Sequence, residues 1–181
     1  MKKVLLSLMV AFVSTFATAQ HFENGSKFLH VGVGVLSPYA YSGSKMGVPP
    51  IHASLEIGVT DKIGVGGLIG YTTSKSESVF WTTKYSWKYS YLIVGARGNY
   101  HFYQDDKFDV YGGAMLGYNI ASAKFESTDK TLENWVSEPK VGGIAFGVYA
   151  GGRYFFNDNS ALFAELGYSI AWLNIGYCAK F

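Results

Sequence analysis

The chain has 181 residues, is 17% aromatic and only 15% charged, and carries 22 glycines against 4 prolines, which leaves room for one domain. Its lone cysteine, Cys178, excludes an internal disulfide and any metal site built on several thiolates. The formal charge of +2 resides in Lys2 and Lys3, and without them 13 basic residues face 13 acidic ones, which gives no electrostatic case for nucleic acid.

Residues 1–19, MKKVLLSLMVAFVSTFATA, read as a secretory signal. Lys2 and Lys3 form the positive head, Val4 to Phe16 the apolar stretch, and Ala17-Thr18-Ala19 the small-x-small cleavage site before Gln20. The apolar run is short for a membrane anchor, and no later stretch is long and apolar enough for a spanning helix. Residues 20–26 form a short tail, and 27–181 the one structural domain.

From Lys27 onward the hydrophobic period is two, the period of a strand. Leu29, Val31, Val33 and Val35 share one face of a first run, and Ile51, Ala53, Leu55, Ile57 and Val59 one face of a second. A third run carries Ile63, Val65, Gly67, Ile69 and Tyr71, and a fourth Leu92, Val94, Ala96, Gly98, Tyr100 and Phe102. Five to eight follow the same plan, through Phe108–Tyr118, Ile144–Phe156, Leu162–Ile170 and Leu173–Phe181. Runs of this length match tilted membrane strands. The connections near 61, 103–107 and 157–160 are short, whereas 36–49, 72–88 and 120–140 are long and polar. Short turns at one rim and long loops at the other are the arrangement of an outer-membrane barrel.

The two faces of these runs differ. One is Val, Leu, Ile, Ala, Tyr and Phe without a charge; the other holds Gly, Ser, Asn and His with Glu56, Arg97, Arg153, Glu165 and Lys180. A soluble barrel would put the apolar face inside. Two features favour the opposite. Glycines at 32, 34, 58, 64, 66, 70, 95, 113, 117, 147, 151, 167 and 176 lie on the polar face, where a narrow interior needs small residues. Aromatic residues of the apolar face gather at strand ends: Tyr100, Phe102, Phe108, Tyr154, Phe156 and Phe181 by the short turns, and Tyr71, Tyr118 and Tyr168 by the long loops. Two such bands are bilayer girdles.

The chain ends in Asn174-Ile175-Gly176-Tyr177-Cys178-Ala179-Lys180-Phe181: a polar residue, glycine two places on, apolar residues at the sixth and eighth places, and terminal Phe. This pattern, carried by Asn174, Gly176, Ala179 and Phe181, resembles the last strand of outer-membrane barrels, which the barrel-assembly machinery reads during insertion. With the strand plan of 27–181, the mature chain resembles the small OmpA/OmpX-type barrels, whose eight strands enclose a side-chain-filled interior. Gly151-Gly152-Arg153-Tyr154-Phe155-Phe156 to Glu165-Leu166-Gly167-Tyr168 also resembles the later hairpin of "porin family" barrels from Bacteroidota. The resemblance implies an all-β, eight-stranded, antiparallel up-and-down transmembrane barrel with three long extracellular loops. It implies a monomer in a Gram-negative outer membrane, in contact with lipid and lipopolysaccharide, without cofactor or nucleic acid.

An inward polar face brings Glu56, Arg97, Arg153, Glu165 and Lys180 together, and a narrow interior tolerates such charges only when paired. A three-residue turn at Asp158-Asn159-Ser160 is expected to set Arg153 opposite Glu165. This network reads either as a plug or as a gate, with the plug favoured because eight strands leave room only for side chains. His30, His52 and His101 also point inward, but no Ser/His/Asp arrangement, phosphate loop or metal-ligand cluster accompanies them, so an enzyme is the disfavoured reading. Phe80, Trp81, Tyr85 and Trp87 in 72–88, and Phe125 and Trp135 in 120–140, mark either a recognition surface or an extension of the outer girdle. The expected role is structural or surface-interacting in the cell envelope, with a narrow OmpW-like channel as the alternative and a lipid-modifying enzyme a distant third.

Overall fold

A computed structural model describes residues 21–39, 44–80, 83–127 and 140–181. The signal segment 1–19, Trp81 and Trp135 lie outside these residues. Nine strands follow in order: β1 (Lys27–Val35), β2 (Lys45–Met46), β3 (Ile51–Gly58), β4 (Ile63–Phe80), β5 (Thr83–Gln104), β6 (Phe108–Ser127), β7 (Lys140–Asn157), β8 (Ser160–Tyr168) and β9 (Leu173–Lys180). Eight of them form a closed antiparallel barrel in the order β1-β3-β4-β5-β6-β7-β8-β9, and β2 is a short addition beside β4. Closure is made by β1 on β9, in register from Phe28 opposite Lys180 to Val35 opposite Leu173. The C-terminal strand is thus the seam, and each of the eight barrel strands has a neighbour on both sides.

The apolar face points outward on every strand of the barrel. Val31, Val94, Leu116, Ile144, Phe146, Val148, Leu162 and Leu166 are all exposed, whereas Glu56, Arg97, Arg153 and Glu165 are buried. An exposed apolar belt running round the whole molecule exceeds anything a water-soluble monomer presents; it needs hydrocarbon around it. The aromatic ends of the belt are exposed too. Phe108 packs beside Tyr154 and Phe156 beside Tyr177 at one rim, and Tyr168 lies between Phe146 and Trp172 at the other.

The loops differ from expectation. Residues 72–80 and 83–88 are strand: β4 and β5 continue as a ladder from Thr72 opposite Tyr91 to Phe80 opposite Thr83. β6 extends the same sheet to Ser127. The Ser, Thr, Tyr and Trp side chains of this stretch pair well across strands; β4 is polar on both faces here, whereas β5 turns Tyr85, Trp87 and Tyr89 inward, the reverse of the barrel's apolar-out pattern. The fourth connection at this rim, 169–172, is short.

Ala114 faces outward midway between Phe108 and Ile120 on β6. Replacing it with arginine, Ala114→Arg, is expected to cost about 2–4 kcal/mol of folding stability in lipid vesicles. Reversible denaturant unfolding of the two proteins checks this; an unchanged midpoint would contradict an outward hydrocarbon belt.

Candidate functional site: the charged lumen

The interior is filled in layers. At the short-turn end, Phe22, Phe28, Phe155, Ala161, Phe163 and Cys178 form a fully buried apolar cluster. Phe22 comes from the tail preceding β1 and stacks on His101 at 3.6 Å and on Phe28 at 5.7 Å. Beside it His21 stacks on Phe155 at 3.9 Å, and its Nε2 contacts the Asp106 carbonyl at 2.8 Å. The tail therefore corks this end, a role that no periodicity in so short a segment could have announced. A second apolar layer, Leu68, Ile93, Met115, Ala145 and Ile170 with Tyr91, Tyr111 and Tyr149, lies on the opposite side of the charges.

Between the two layers runs a ring of buried ionisable groups. The Arg153 guanidinium on β7 donates NH1 to Asp109 Oδ2 at 2.9 Å, NH2 to Glu56 Oε2, and Nε to His30 Nε2 at 3.0 Å. His101 closes the ring, with Nδ1 at 2.7 Å from Asp109 Oδ1 and Nε2 at 3.0 Å from Glu56 Oε1. Both contacts are hydrogen bonds only when both ring nitrogens carry hydrogen, because the carboxylate oxygens can only accept. An imidazolium there balances the account: Arg97, Arg153 and His101 against Glu56, Asp109 and Glu165.

A second cluster adjoins the first. Arg97 on β5 donates NH2 to Glu165 Oε1 at 2.5 Å and NH1 to Ser54 Oγ at 3.2 Å. Tyr111 also donates to Glu165 Oε1, at 2.8 Å, and Arg153 lies over its ring. Asn99 joins the two clusters, donating to Glu56 Oε1 at 2.7 Å and accepting from the Tyr149 hydroxyl at 2.8 Å. The network draws on β1, β3, β5, β6, β7 and β8, so it laces opposite walls together. Glycine makes the space on the remaining strands. A Cβ on Gly64 of β4 would strike the Glu56 carboxylate, and one on Gly176 of β9 would strike the β1 backbone.

Two expectations about this network need correction. Arg153 does not face Glu165 across the β7–β8 hairpin. The turn has two residues, Asp158 and Asn159, after a bulge between Phe155 and Asn157, so Arg153 stands opposite Phe163 and Glu165 opposite Gly151. A slip of two keeps both side chains inward while exchanging their partners. Lys180 shares the inward register with Phe28 but sits half-exposed at the short-turn rim, without an ion pair among the described residues. Its four-carbon stem carries the ammonium to water. Asp109, absent from the expected set, belongs to the network instead. The alternation Phe108, Asp109, Val110 already turned Asp109 inward, but its position at the strand start made it resemble a turn residue.

Of the C-terminal residues, Asn174 is buried, with Nδ2 reaching Ser169 Oγ at 3.2 Å; Gly176 packs against β1, and exposed Phe181 ends the chain at the rim. Ala179 pairs with Leu29 across the seam. Tyr85 and Trp87 are in β5 and share the inward parity of Tyr91 and Ile93, so they do not extend the girdle. Their rings pack on Phe125 of β6 at 6.5 and 5.0 Å, forming an aromatic inner face on the projecting sheet. The side chain of Phe80 in β4 lies outside the described residues.

A closed eight-strand barrel, apolar outside and charged within, is the fold of the small outer-membrane β-barrel proteins. Known structures share it. The outer membrane protein OprG from Pseudomonas aeruginosa is similar with a TM-score of 0.57 and 14% identity, over 90% of this chain and 99% of that one. The N-terminal β-barrel domain of Pseudomonas aeruginosa OprF matches with a TM-score of 0.53 and 14% identity, over 88% and 98%. Ail, the attachment invasion locus protein of Yersinia pestis, matches at 0.50 and 14%, over 87% and 95%. At such identities the likeness is one of fold. No protein-family model matches the chain, and no curated protein matches it in sequence.

Removing one partner of a buried pair leaves the other charge uncompensated, so Glu165→Ala is expected to destabilise the barrel by about 3–5 kcal/mol. The double variant Glu165→Ala with Arg97→Met should recover most of that loss. Unfolding midpoints of the four proteins in a double-mutant cycle measure it; strictly additive losses would mean that Arg97 and Glu165 do not interact.

Proposed function

We propose that this protein is a non-conducting structural barrel of the bacterial outer membrane whose projecting sheet meets the cell exterior. One observation carries the reading: the ion network is enclosed between two apolar layers, each made of buried side chains. A water-filled path would have to break both layers and the Arg153–Glu56–His101–Asp109 ring between them. The N-terminal signal delivers the chain across the inner membrane, and the terminal Phe181 strand serves the assembly machinery. The aromatic face formed by Tyr85, Trp87 and Phe125 supports a surface-interaction role, because half-buried rings beside adaptable Ser and Thr on a projecting sheet suit a recognition surface. The protein works as a monomer with outer-membrane lipid as its constant partner, and it performs no catalysis.

A narrow channel is the second reading, and one observation favours it. Both ring nitrogens of buried His52, Nδ1 of His30 and Nε of Arg97 have no partner inside the barrel. Such groups would line a path if the apolar layers parted.

Planar-bilayer recording separates the two. The structural reading predicts no steady conductance for the wild type and none for Glu165→Gln. A stable conductance that rises in Glu165→Gln would make the network a gate and the protein a channel.

A further inference from the structure

Beyond the apolar belt, at the rim opposite Phe22 and Phe181, the outward face carries lysines on neighbouring strands. The register sets Lys45 of β2 opposite Lys75 of β4, Lys75 opposite Lys88 of β5, and Lys88 opposite Lys124 of β6. Like charges directly opposite one another destabilise a sheet. Glu77 relieves one end of the row, lying 3.0 Å from Lys75 Nζ and 3.4 Å from Lys45 Nζ. Those two ammonium groups hold its carboxyl below the usual range, by the Lys75 hydrogen bond first and the Lys45 charge next. The other end is not relieved. Lys88 and Lys124 are exposed and make no ion pair among the described residues; outward Glu126, opposite Ser86, borders the same groove as Lys88 without pairing with it.

Below the row, the outward face has a depression within the apolar belt. It is bordered by Val31, Ile51, Ile69, Tyr71 and Leu92, with Ala53 at its centre. The register explains the hollow: Ala53 stands between Val31 and Ile69, one methyl between two branched side chains. Tyr71 and Leu92 lie four residues before Lys75 and after Lys88 on their strands, a rise of roughly 13 Å.

We propose that the depression and the lysine row together bind one phosphorylated, multiply acylated glycolipid of the outer leaflet. An acyl chain fills the hollow over Ala53, and the phosphates meet Lys75, Lys88 and Lys124. The pairing of the two features selects an anionic amphiphile, and three lysines side by side on β4, β5 and β6 suit one that carries more than one phosphate. A soluble anion would use the lysines and leave the hollow; a neutral lipid would fill the hollow and leave the lysines unrelieved. Only an anionic amphiphile uses both, and its phosphates lie just outside the hydrocarbon, where the row stands. Lysine suits a phosphate as a point charge. The inference rests on the reading that this barrel lies in an outer membrane with the long β4–β5 hairpin outward.

The test uses the full mature chain in nanodiscs of neutral phosphatidylcholine, titrated with bis-phosphorylated lipid A and read by native mass spectrometry of the released protein. Heat-modifiable electrophoretic mobility first verifies insertion; a chain that does not insert contradicts the barrel reading rather than this site. The wild type is expected to retain one lipid A, and lipid A stripped of its phosphates is expected to be lost. Each lysine near an anionic surface is worth roughly fivefold in affinity, so Lys88→Ser with Lys124→Ser should weaken retention by roughly thirtyfold. Ala53→Leu, which fills the hollow, should weaken it while every lysine stays in place. Equal retention of the dephosphorylated lipid, or an unchanged double lysine variant, would overturn the proposal. Displacement of lipid A by inorganic pyrophosphate at matching concentration would show a free-anion site instead and would overturn it too. Should the double variant not insert, the comparison of the two lipids on the wild type still decides.

Discussion

The pairing of β1 with β9 is the constraint from which the rest follows. Eight hydrogen-bonded strands that close on themselves satisfy every interior backbone donor and acceptor within the sheet, which is the condition for standing in hydrocarbon at all. Closure also divides the side chains without remainder, since alternate residues must point to opposite sides of one wall. Once Val31 faces out, Gly32 and His30 face in, and the same choice propagates through the register of β3 to β9. The C-terminal pattern of Asn174 and Gly176 belongs to this seam. A larger residue than glycine at 176 would collide with the β1 carbonyl of Val31.

A closed wall this narrow turns its own interior into a packing problem. Charged groups placed there lie out of reach of water, and an unpaired one is costly. The solution is a network in which the two arginines each meet a carboxylate and lie over an aromatic ring, Arg97 over Tyr149 and Arg153 over Phe28 and Tyr111. The tail completes it from outside the barrel's own strands, since Phe22 covers His101 and so shields the ring from one side. Stability and closure of the lumen are therefore one property. Any opening of the path would also separate opposite charges.

Much of this was legible in the sequence, and the parts that were not share a cause. The two faces were readable because the period of two runs through all eight strands with scarcely an exception, from Leu29 to Phe181. Strand extent was harder, because in Thr72–Ser78 neither face is apolar, and in Tyr85–Tyr91 the aromatic residues alternate onto the inward face, the reverse of the barrel below, although the ladder continues. Register was the weakest point. Asp158 and Asn159 form a tighter turn than the sequence implied, and two residues of slip gave Glu165 to Arg97 and Glu56 with Asp109 to Arg153. Pairings across the lumen, such as His101 with Glu56, arise between strands far apart in the chain, where local patterns carry no information. Phe22 was invisible for a related reason: a tail without period gains its meaning only from the cavity it fills.

The central claim is that hydrocarbon meets one set of methyl groups and never the other. Nuclear Overhauser contacts between bilayer acyl chains and the methyls of the unmodified protein in nanodiscs test it without any substitution. Val31, Val94, Leu116 and Val148 should show strong contacts with lipid, while Leu68, Ile93 and Met115 show none. Lipid contacts to Ile93 and Met115, with silence at Val94 and Leu116, would contradict the account.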